Sequence, residues 1–271
     1  MVEIDRTSVA RYWEGVAPSI LGPYMMADYG FPVSAGAYRL RGEREIVGRL
    51  LGDIDRKGTA LDLGSGIGVW TEEFAHSFAY VVSVEGSASL YPALKERCAA
   101  YHNIDAIHGD VQSFEPNDDY SLVFSGGLLM YLDQNDVVSL LQRLVQRLAK
   151  NGIILCREST VRSNTETRQG TYPVVYRSID DYERIFRQCG LAVQHVERNE
   201  PYMVMEMGCQ MIDMWKRVVP EPLQALQVVG RLAYWGVRLG KPLIQCIPRA
   251  LGTPFPKLEN HYFVLEADSS S

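Results

Sequence analysis

A glycine-rich turn near residue 65 has the residue types and the spacing to hold a nucleotide-like ligand. A strand-like apolar run over residues 59–63 leads into it, and glycines then occupy every second position, at Gly64, Gly66 and Gly68. Glycine takes a positive φ at little cost, and without β-carbons the backbone N–H groups can approach a ligand closely. Ser65 lies inside this turn. We expect Asp62, inside the strand, to orient the turn by hydrogen bonding to backbone rather than to contact the ligand.

Three further strand-like runs, over residues 80–84, 104–108 and 120–124, end in acids or small residues. The candidate ligand-binding residues that follow them are Glu85, Gly86, Asp110, Val111, Ser125 and Gly126. Ligands of open parallel sheets bind at the carboxyl ends of the strands, so we expect these residues to line one site. A solvated acid at Glu85 and an ordinary loop aspartate at Asp110 are the alternatives.

The elements that would position these residues follow from hydrophobic spacing. Strand patterns alternate with helix patterns from residue 59 to about 199, which is typical of βαβ units and a parallel sheet. A helix is predicted over residues 136–150, with a left-handed C-cap at Asn151 and Gly152. Ser178 and Asp181 have the spacing of a capping box for the next helix, which Gly190 ends.

The chain divides into four predicted segments. These are a helical, aromatic cap over residues 1–57, a ligand-binding core over 58–199, a helical insertion over 200–258, and the last core strand and tail over 259–271. The insertion has seven basic and four acidic residues, a net charge of +3, and it holds a cluster of five methionines, at Met203, Met205, Met207, Met211 and Met214. Such a cluster is more often core than an apolar acceptor site.

Composition excludes several classes of function. The 27 basic and 33 acidic residues give a net charge of −6, which argues against a nucleic-acid partner because such proteins need a basic footprint. The five scattered cysteines match no zinc spacing and suit a reducing cytoplasm. The N-terminus lacks an apolar export signal and no run is long enough for a membrane span, so we expect a cytoplasmic protein.

Together these motifs resemble class I S-adenosylmethionine-dependent methyltransferases. Residues 61–68 match the first motif of that family, Glu85 ends the second strand, residues 109–111 match the third motif and residues 124–132 the fourth. The resemblance covers about residues 36–199 and the last strand. It implies an α/β fold: a Rossmann-like, doubly wound, mostly parallel seven-stranded sheet with an N-terminal helical cap and a helical insertion before the last strand.

The predicted cofactor is therefore S-adenosyl-L-methionine. The Glu85 carboxylate can accept hydrogen bonds from both ribose hydroxyls, and Asp110 and the Val111 N–H suit adenine. A nicotinamide dinucleotide is disfavoured, because its fingerprint needs G-x-G-x-x-G and because we expect the bulky Trp70 to restrict access for a diphosphate.

Methyl transfer needs alignment, exclusion of water and, for some acceptors, a general base. Glu158, at the end of a strand, is the first candidate base, although pairing with a cation or capping of a turn is equally compatible with its position. Tyr131 is the second candidate catalytic residue, with plain packing as its alternative. The histidines are interpreted as structural or solvated.

The segment over residues 163–177 is expected to be a polar loop beside the acceptor. Its candidate substrate-binding residues are Arg168, Tyr172, Tyr176 and Arg177, whose arginines could hold a carboxylate or phosphate. No metal site is expected, since Asp133 and Asp136 are interpreted as helix caps.

The sequence thus predicts a methyltransferase acting on a small molecule, apolar or aromatic, of specialised metabolism, with O-, N- or C-methylation left open. A lipid or isoprenoid acceptor is one alternative. A cofactor-binding scaffold or partner subunit without catalysis is another. The insertion is compatible with a lid, a homodimer surface or a membrane-surface element.

Overall fold

The computed structural model describes residues 4–18, 30–170, 172–220, 227–250 and 255–268. Nine strands form one sheet in the described part of the chain: β1 Thr59–Leu63, β2 Tyr80–Glu85, β3 Ile104–His108, β4 Tyr120–Gly126, β5 Leu148–Val161, β6 Glu166–Arg168, β7 Val174–Ser178, β8 Leu191–Arg198 and β9 Glu259–Ala267. The helices of the same part are α1 Arg6–Glu14, α2 Val33–Leu50, α3 Val69–Ala75, α4 Tyr91–Cys98, α5 Gln134–Val145, α6 Ile179–Gln188, α7 Glu200–Lys216 and α8 Gln227–Ala250. A short 3-10 helix spans Leu129–Tyr131.

The strand order explains where a ligand can bind. The sheet runs β3-β2-β1-β4-β5-β7-β6, with β9 pairing to both β5 and β8. The pairs from β3 through β5 are parallel, so β1 lies between β2 and β4 and their carboxyl ends share one edge. The order reverses at β1, which makes the loops after β1, β2 and β4 the expected binding edge.

The mostly parallel α/β fold predicted from the sequence is confirmed, but the sheet has nine strands rather than seven. The two additional strands are β6 and β7, which pair antiparallel within the segment expected to be a loop. Thr160 and Val161 of β5 pair with Arg177 and Ser178 of β7, which joins this hairpin to the sheet.

The predicted helix over residues 136–150 ends early, at Val145. The reason is a competing strand pairing: the Tyr120 N–H donates to the Arg147 carbonyl, and Leu148 pairs with Tyr120. Asn151 does take a positive φ of 61°, but it lies within β5 and does not cap a helix. The cap at the start of α6 is confirmed, since the Ser178 side chain accepts from the Asp181 N–H.

Residues group into two compact units. The first contains residues 1–18, 51–197 and 261–271, and its core lies between the sheet and helices such as α5 and α6, with Leu61, Leu141 and Phe263 fully buried. The second contains residues 19–50 and 198–260. This grouping cuts across the cap predicted over residues 1–57, whose functional limits stay a prediction.

The second unit has its own small core, built from α2, α7 and α8. Met205 and Met207 are buried there against Tyr234 and Val237, so these methionines pack as core side chains. None of the helices in the described residues is both long and apolar enough to cross a membrane.

We expect Gly152→Ala to lower the free energy of unfolding by about 1–3 kcal/mol, because a β-carbon there would lie 2.5 Å from the Tyr120 carbonyl oxygen, where backbone must move. Gly48→Ala in α2 is the control. A β-carbon at Gly48 meets nothing within 4 Å, so this change should be neutral or stabilise by up to about 1 kcal/mol. Urea unfolding measures both, and equal stability of Gly152→Ala and the wild type would contradict the expectation.

Candidate cofactor and acceptor site

The glycine turn after β1 has the predicted left-handed backbone. Gly64, Gly66 and Gly68 have φ values of 65°, 58° and 80°. The carbonyl of Val84 in β2 accepts from the N–H groups of Gly64 and Ser65, and also from the Ser65 hydroxyl. A β-carbon on Gly66 would meet nothing within 4 Å, so open space lies beside the middle of the turn. The turn is thus a cradle with room for a ligand.

Asp62 supports this turn from inside the sheet. The Thr71 hydroxyl in α3 donates to the Asp62 carboxylate at 2.6 Å, and both side chains are buried. Burial raises the pKa of Asp62 to about 7. Asp62 therefore joins β1 to the helix that follows the turn through a side-chain hydroxyl, whereas a hydrogen bond to the backbone of the turn was expected.

Trp70 is a buried core residue, whereas the sequence predicted that it restricts access at the glycine turn. Its ring is buried against Phe74 and Phe124, with ring centroids 5.7 and 5.1 Å away. The side chain belongs to the core beneath α3, so the expectation that its bulk restricts a diphosphate at the turn has no support. The helix period explains the difference, because residues 70 and 74 share the buried face of α3.

Glu85 connects the loops after β1 and β2. One carboxylate oxygen accepts from the Gly66 N–H at 2.6 Å, and the other accepts from the Ser87 N–H at 2.7 Å. Burial raises the pKa of this carboxyl, and the hydrogen bonds from backbone N–H groups oppose that rise. The side chain is directly beside the glycine turn, as predicted.

The end of β3 lies against the loop after β2. A β-carbon on Gly86 would sit 3.5 Å from the Gly109 carbonyl oxygen and 3.8 Å from the Asp110 Cα. Asp110 is exposed and accepts from the Gln112 N–H, while Val111 is buried. The structure therefore brings Gly86 and Asp110 together with the Glu85 loop.

The end of β4 completes the edge on the other side. Ser125 is buried, and the Gly126 carbonyl accepts from the Arg157 guanidinium at 2.9 Å. The position of a β-carbon on Gly64 is 3.1 Å from the Leu128 side chain. The loop after β4 thus packs on the glycine turn.

Glu158 caps a turn. The carboxylate is fully buried and accepts from three successive backbone N–H groups, those of Leu128, Leu129 and Met130, at 3.1, 3.0 and 3.3 Å. Burial raises its pKa to about 7, against the effect of those N–H groups. The geometry favours the turn-capping interpretation of Glu158 over that of a base reaching an acceptor.

Arg177 binds the other end of the same short helix. Its guanidinium donates to the carbonyls of Leu129 and Leu132 at 2.8 and 2.7 Å, and the side chain is buried. These donors face backbone, so the expectation that Arg177 holds an anionic group of the substrate is corrected. Buried charges need such partners, and here the partners are the carbonyl ends of a helix.

Tyr131 stands in a cluster of aromatic rings. Its hydroxyl lies 2.6 Å from the Tyr172 hydroxyl. The Trp13 ring meets Tyr131 edge-on at 5.2 Å, and Tyr12 meets Tyr172 edge-on at 4.9 Å. Burial raises the pKa of both Tyr131 and Tyr172, so both phenols are neutral at neutral pH. Together, Tyr12, Trp13, Tyr131 and Tyr172 are referred to below as the aromatic cluster.

Tyr176 and Arg168 extend this region along the β6–β7 hairpin. The Arg168 guanidinium lies over the Tyr176 ring at 4.9 Å, and burial differs sharply between them, with Arg168 exposed and Tyr176 buried. Of the two arginines predicted to bind substrate, Arg168 is the one whose guanidinium reaches solvent.

The sequence places the acceptor under residues 1–35 and 200–258, but Tyr12 and Trp13 of α1 were not among its predicted site residues. The Trp13 carbonyl accepts from the hydroxyls of Ser87 and Ser89, both at 3.0 Å, while the Trp13 ring packs on Tyr131. Because β1 lies between β2 and β4, α1 joins the two loops that flank the glycine turn. The available signal was the adjacent pair Tyr12 and Trp13 in a short polar helix.

The two aspartates interpreted from the sequence as helix caps, Asp133 and Asp136, bind other groups. Asp133 is at the N-cap of α5, but its carboxylate accepts from the Ile4 N–H instead of capping the helix, and Asp136 pairs with Arg6. His108 stacks on Tyr91 at 4.8 Å. No group of three or more His, Cys, Asp and Glu side chains in the described part of the chain is arranged to hold a metal ion.

Comparison with known proteins decides the family. The family of AdoMet-dependent proline di-methyltransferases matches residues 3–206. The chain belongs to this methyltransferase family. The predicted resemblance and the predicted cofactor, S-adenosylmethionine, are therefore confirmed, and the cradle at Gly64–Gly68 with Glu85 and Asp110 beside it is a site that fits this cofactor.

Curated relatives of this methyltransferase carry several acceptor names. It is 30% identical to phosphoethanolamine N-methyltransferase 1 of Triticum aestivum over 69% of this chain and 37% of the relative. It is 25% identical to α N-terminal protein methyltransferase 1 of Drosophila melanogaster over 68% of this chain and 66% of that protein. The chain spans about two fifths of the length of the plant relatives it matches.

Solved structures share the methyltransferase fold. A SAM-dependent methyltransferase of Leishmania major has a TM-score of 0.66 at 16% identity, with 96% of this chain and 82% of that chain covered. Phosphoethanolamine N-methyltransferase 1 of Haemonchus contortus, solved with phosphoethanolamine and S-adenosylhomocysteine, has a TM-score of 0.63 at 18% identity, covering 98% and 50%. At these identities the likeness concerns the fold alone.

We expect Asp62→Asn to flatten the dependence of stability on pH. Because the folded pKa of Asp62 is raised to about 7, its contribution to stability is fully present below about pH 4 and is lost as the pH rises to about 7. Asparagine can still accept from Thr71 but cannot titrate. Urea unfolding at about pH 5 and 7.5 measures the difference, with the exposed Asp119→Asn as control. An unchanged difference in the Asp62→Asn protein would refute the assignment.

Proposed function

We propose that this protein transfers a methyl group from S-adenosylmethionine to the nitrogen of a small-molecule amine. The observation that carries the proposal is the aromatic cluster, whose rings and paired neutral hydroxyls flank the loop after β4. The nitrogen lone pair would attack the methyl carbon as the carbon–sulfur bond breaks, which leaves S-adenosylhomocysteine and a methylated amine. Electron-rich ring faces stabilise the positive charge that nitrogen then carries.

The neutral tyrosine hydroxyls support an amine rather than a hydroxyl acceptor. An amine only has to reach the site unprotonated, whereas a hydroxyl has to lose its proton to a base. Burial keeps Tyr131 and Tyr172 protonated, and the Glu158 oxygens accept from backbone N–H groups. The role we propose for Tyr131 is to orient the acceptor by a hydrogen bond.

The names of relatives also support nitrogen as the acceptor atom. Phosphoethanolamine N-methyltransferases and an α N-terminal protein methyltransferase are both named for a nitrogen acceptor. The exposed Arg168 beside Tyr176 would suit an anionic group on the same small molecule. An apolar or aromatic acceptor of specialised metabolism, as expected from the sequence, is compatible with the aromatic cluster and is one arm of the test.

A second candidate is methylation of a protein α-amino group. It is favoured by the family description, which names a proline di-methyltransferase, and by the Drosophila relative. A peptide beginning with proline tests it in the same assay.

The compartment is part of the proposal. Cys98, Cys156, Cys189 and Cys209 are buried free thiols in the described residues, which supports a reducing environment such as the cytoplasm.

The test measures S-adenosylhomocysteine formation with a panel of acceptors: phosphoethanolamine, simple aromatic amines, their hydroxyl analogues, an isoprenoid lipid, and the proline peptide. Methylation of an amine but not of its hydroxyl analogue supports the proposal. Methylation confined to the peptide favours the second candidate. Cofactor binding by calorimetry without turnover on any acceptor would favour the scaffold alternative and overturn the proposed activity.

Glu85→Ala should weaken binding of S-adenosylmethionine by about 1–3 kcal/mol, because one or two hydrogen bonds to the ribose would be lost. Calorimetric titration measures the affinity, and Glu96→Ala on the exposed face of α4 removes the same side chain as a control. An affinity for Glu85→Ala equal to that of the control would refute the ribose role.

Tyr131→Phe and Tyr172→Phe should each lower kcat/KM for the acceptor about tenfold or more, since each removes one hydroxyl of the 2.6 Å pair and keeps the ring. Affinity for the cofactor should not change. Tyr101→Phe, which removes a hydroxyl bonded to Glu72 away from the cluster, is the control. Wild-type kinetics in both cluster variants would mean that the pair does not contact the acceptor.

A further inference from the structure

Helix α8 exposes a continuous row of large apolar side chains. Val228, Leu232, Trp235, Leu239 and Leu243 are 54%, 67%, 46%, 80% and 69% exposed. Their spacing follows the helix period, so they form one row along the helix, referred to below as the apolar stripe. Single exposed apolar residues are ordinary, but a contiguous row indicates a surface that binds something.

The stripe is separate from the face that α8 uses for packing. Tyr234 and Val237 are fully buried in the core with α2 and α7. At about 100° per residue the stripe spans an arc of about 80° on the opposite side of the helix, and from Val228 to Leu243 it is about 22 Å long. Folding of the second unit therefore leaves the stripe uncovered.

The charge of α8 indicates what kind of surface the apolar stripe binds. Its 24 residues include four basic side chains, those of Arg231, Arg238, Lys241 and Arg249, and no acidic one, although the whole chain has a net charge of −6. Arg231 and Arg238 are exposed about 80–100° from the centre of the stripe, along one side of it. Arg238 also packs over Tyr38 and donates to the Tyr234 hydroxyl, which fixes its position on the helix.

We infer that α8 docks on an anionic lipid surface, with the apolar stripe at the boundary between headgroups and acyl chains. A helix that lies in that interface has leucine and tryptophan on one face and cations next to them, and it is not apolar enough to span the bilayer. Anionic headgroups complement the exposed Arg231 and Arg238 beside the stripe. A second copy of α8 would instead bring like charges together without an acid on either helix.

The experiment is co-sedimentation of the full chain with vesicles of phosphatidylcholine alone and of phosphatidylcholine mixed with phosphatidylglycerol. We expect binding to the mixed vesicles that weakens as sodium chloride is raised. The double variant Leu232→Glu/Leu239→Glu should bind the mixed vesicles more weakly by about tenfold or more, because it puts carboxylates in the apolar interface. Both leucines are exposed, so the variant should keep the wild-type unfolding curve.

The matched control is Tyr80→Glu/Ala100→Glu, which adds the same charge at exposed positions in the first unit. Retained vesicle binding in this control, together with loss in the stripe variant, supports the inference. Failure of the wild type to bind mixed vesicles overturns it. Equal loss of vesicle binding in the two variants also overturns it, because that would indicate an effect of net charge alone. A wild-type dimer that the stripe variant converts to a monomer overturns it as well, because the stripe would then bind a second copy.

Discussion

The Glu85 carboxylate is the contact on which the geometry of the site depends. It is buried at the end of β2, and its two oxygens accept from the Gly66 and Ser87 N–H groups, which belong to different loops. Burying a carboxylate is costly unless hydrogen bonds compensate, so both loops are held at fixed positions around it. Ser87 in turn donates to the Trp13 carbonyl, and the Trp13 ring packs on Tyr131. One acid thus links the glycine turn to the aromatic cluster through α1.

The loop after β4 is organised by the same physical principle. Glu158 accepts from the N–H groups at the start of the 3-10 helix, and Arg177 donates to carbonyls at its end, so opposite charges satisfy opposite ends of the helix dipole. Both side chains are buried, and both come from neighbouring strands, β5 and β7. Tyr131 is the last residue of this short helix. Because the charged groups of Glu158 and Arg177 bind the backbone of the helix, these two residues position the Tyr131 ring indirectly.

The parts of the site that the sequence predicted are those determined locally. A positive φ at alternate glycines and an acid at the end of the next strand are properties of short segments, and they identified Gly64, Gly66, Gly68 and Glu85. The function of Glu158 and Arg177 depends on which loop folds back onto them, 28–30 and 45–48 residues away along the chain. Trp13 contacts a loop 74 residues away. Helix spacing likewise could not show that Leu148 would leave α5 to pair with Tyr120, because only the partner strand determines that.

The distribution of charge also constrains the chemistry of the acceptor. The buried charged groups that hold the loop after β4, Glu158 and Arg177, are both engaged with backbone, and the tyrosine hydroxyls are kept protonated by burial. Under the proposed function, a nucleophile bound there would receive orientation and an apolar, electron-rich environment, but no strong base from Glu158, Tyr131 or Tyr172. An amine has a lone pair once it is unprotonated and gains a positive charge that the rings can stabilise, whereas a hydroxyl would need a proton acceptor that these residues do not offer. The same burial that holds the loops in place therefore supports the proposed methylation of nitrogen.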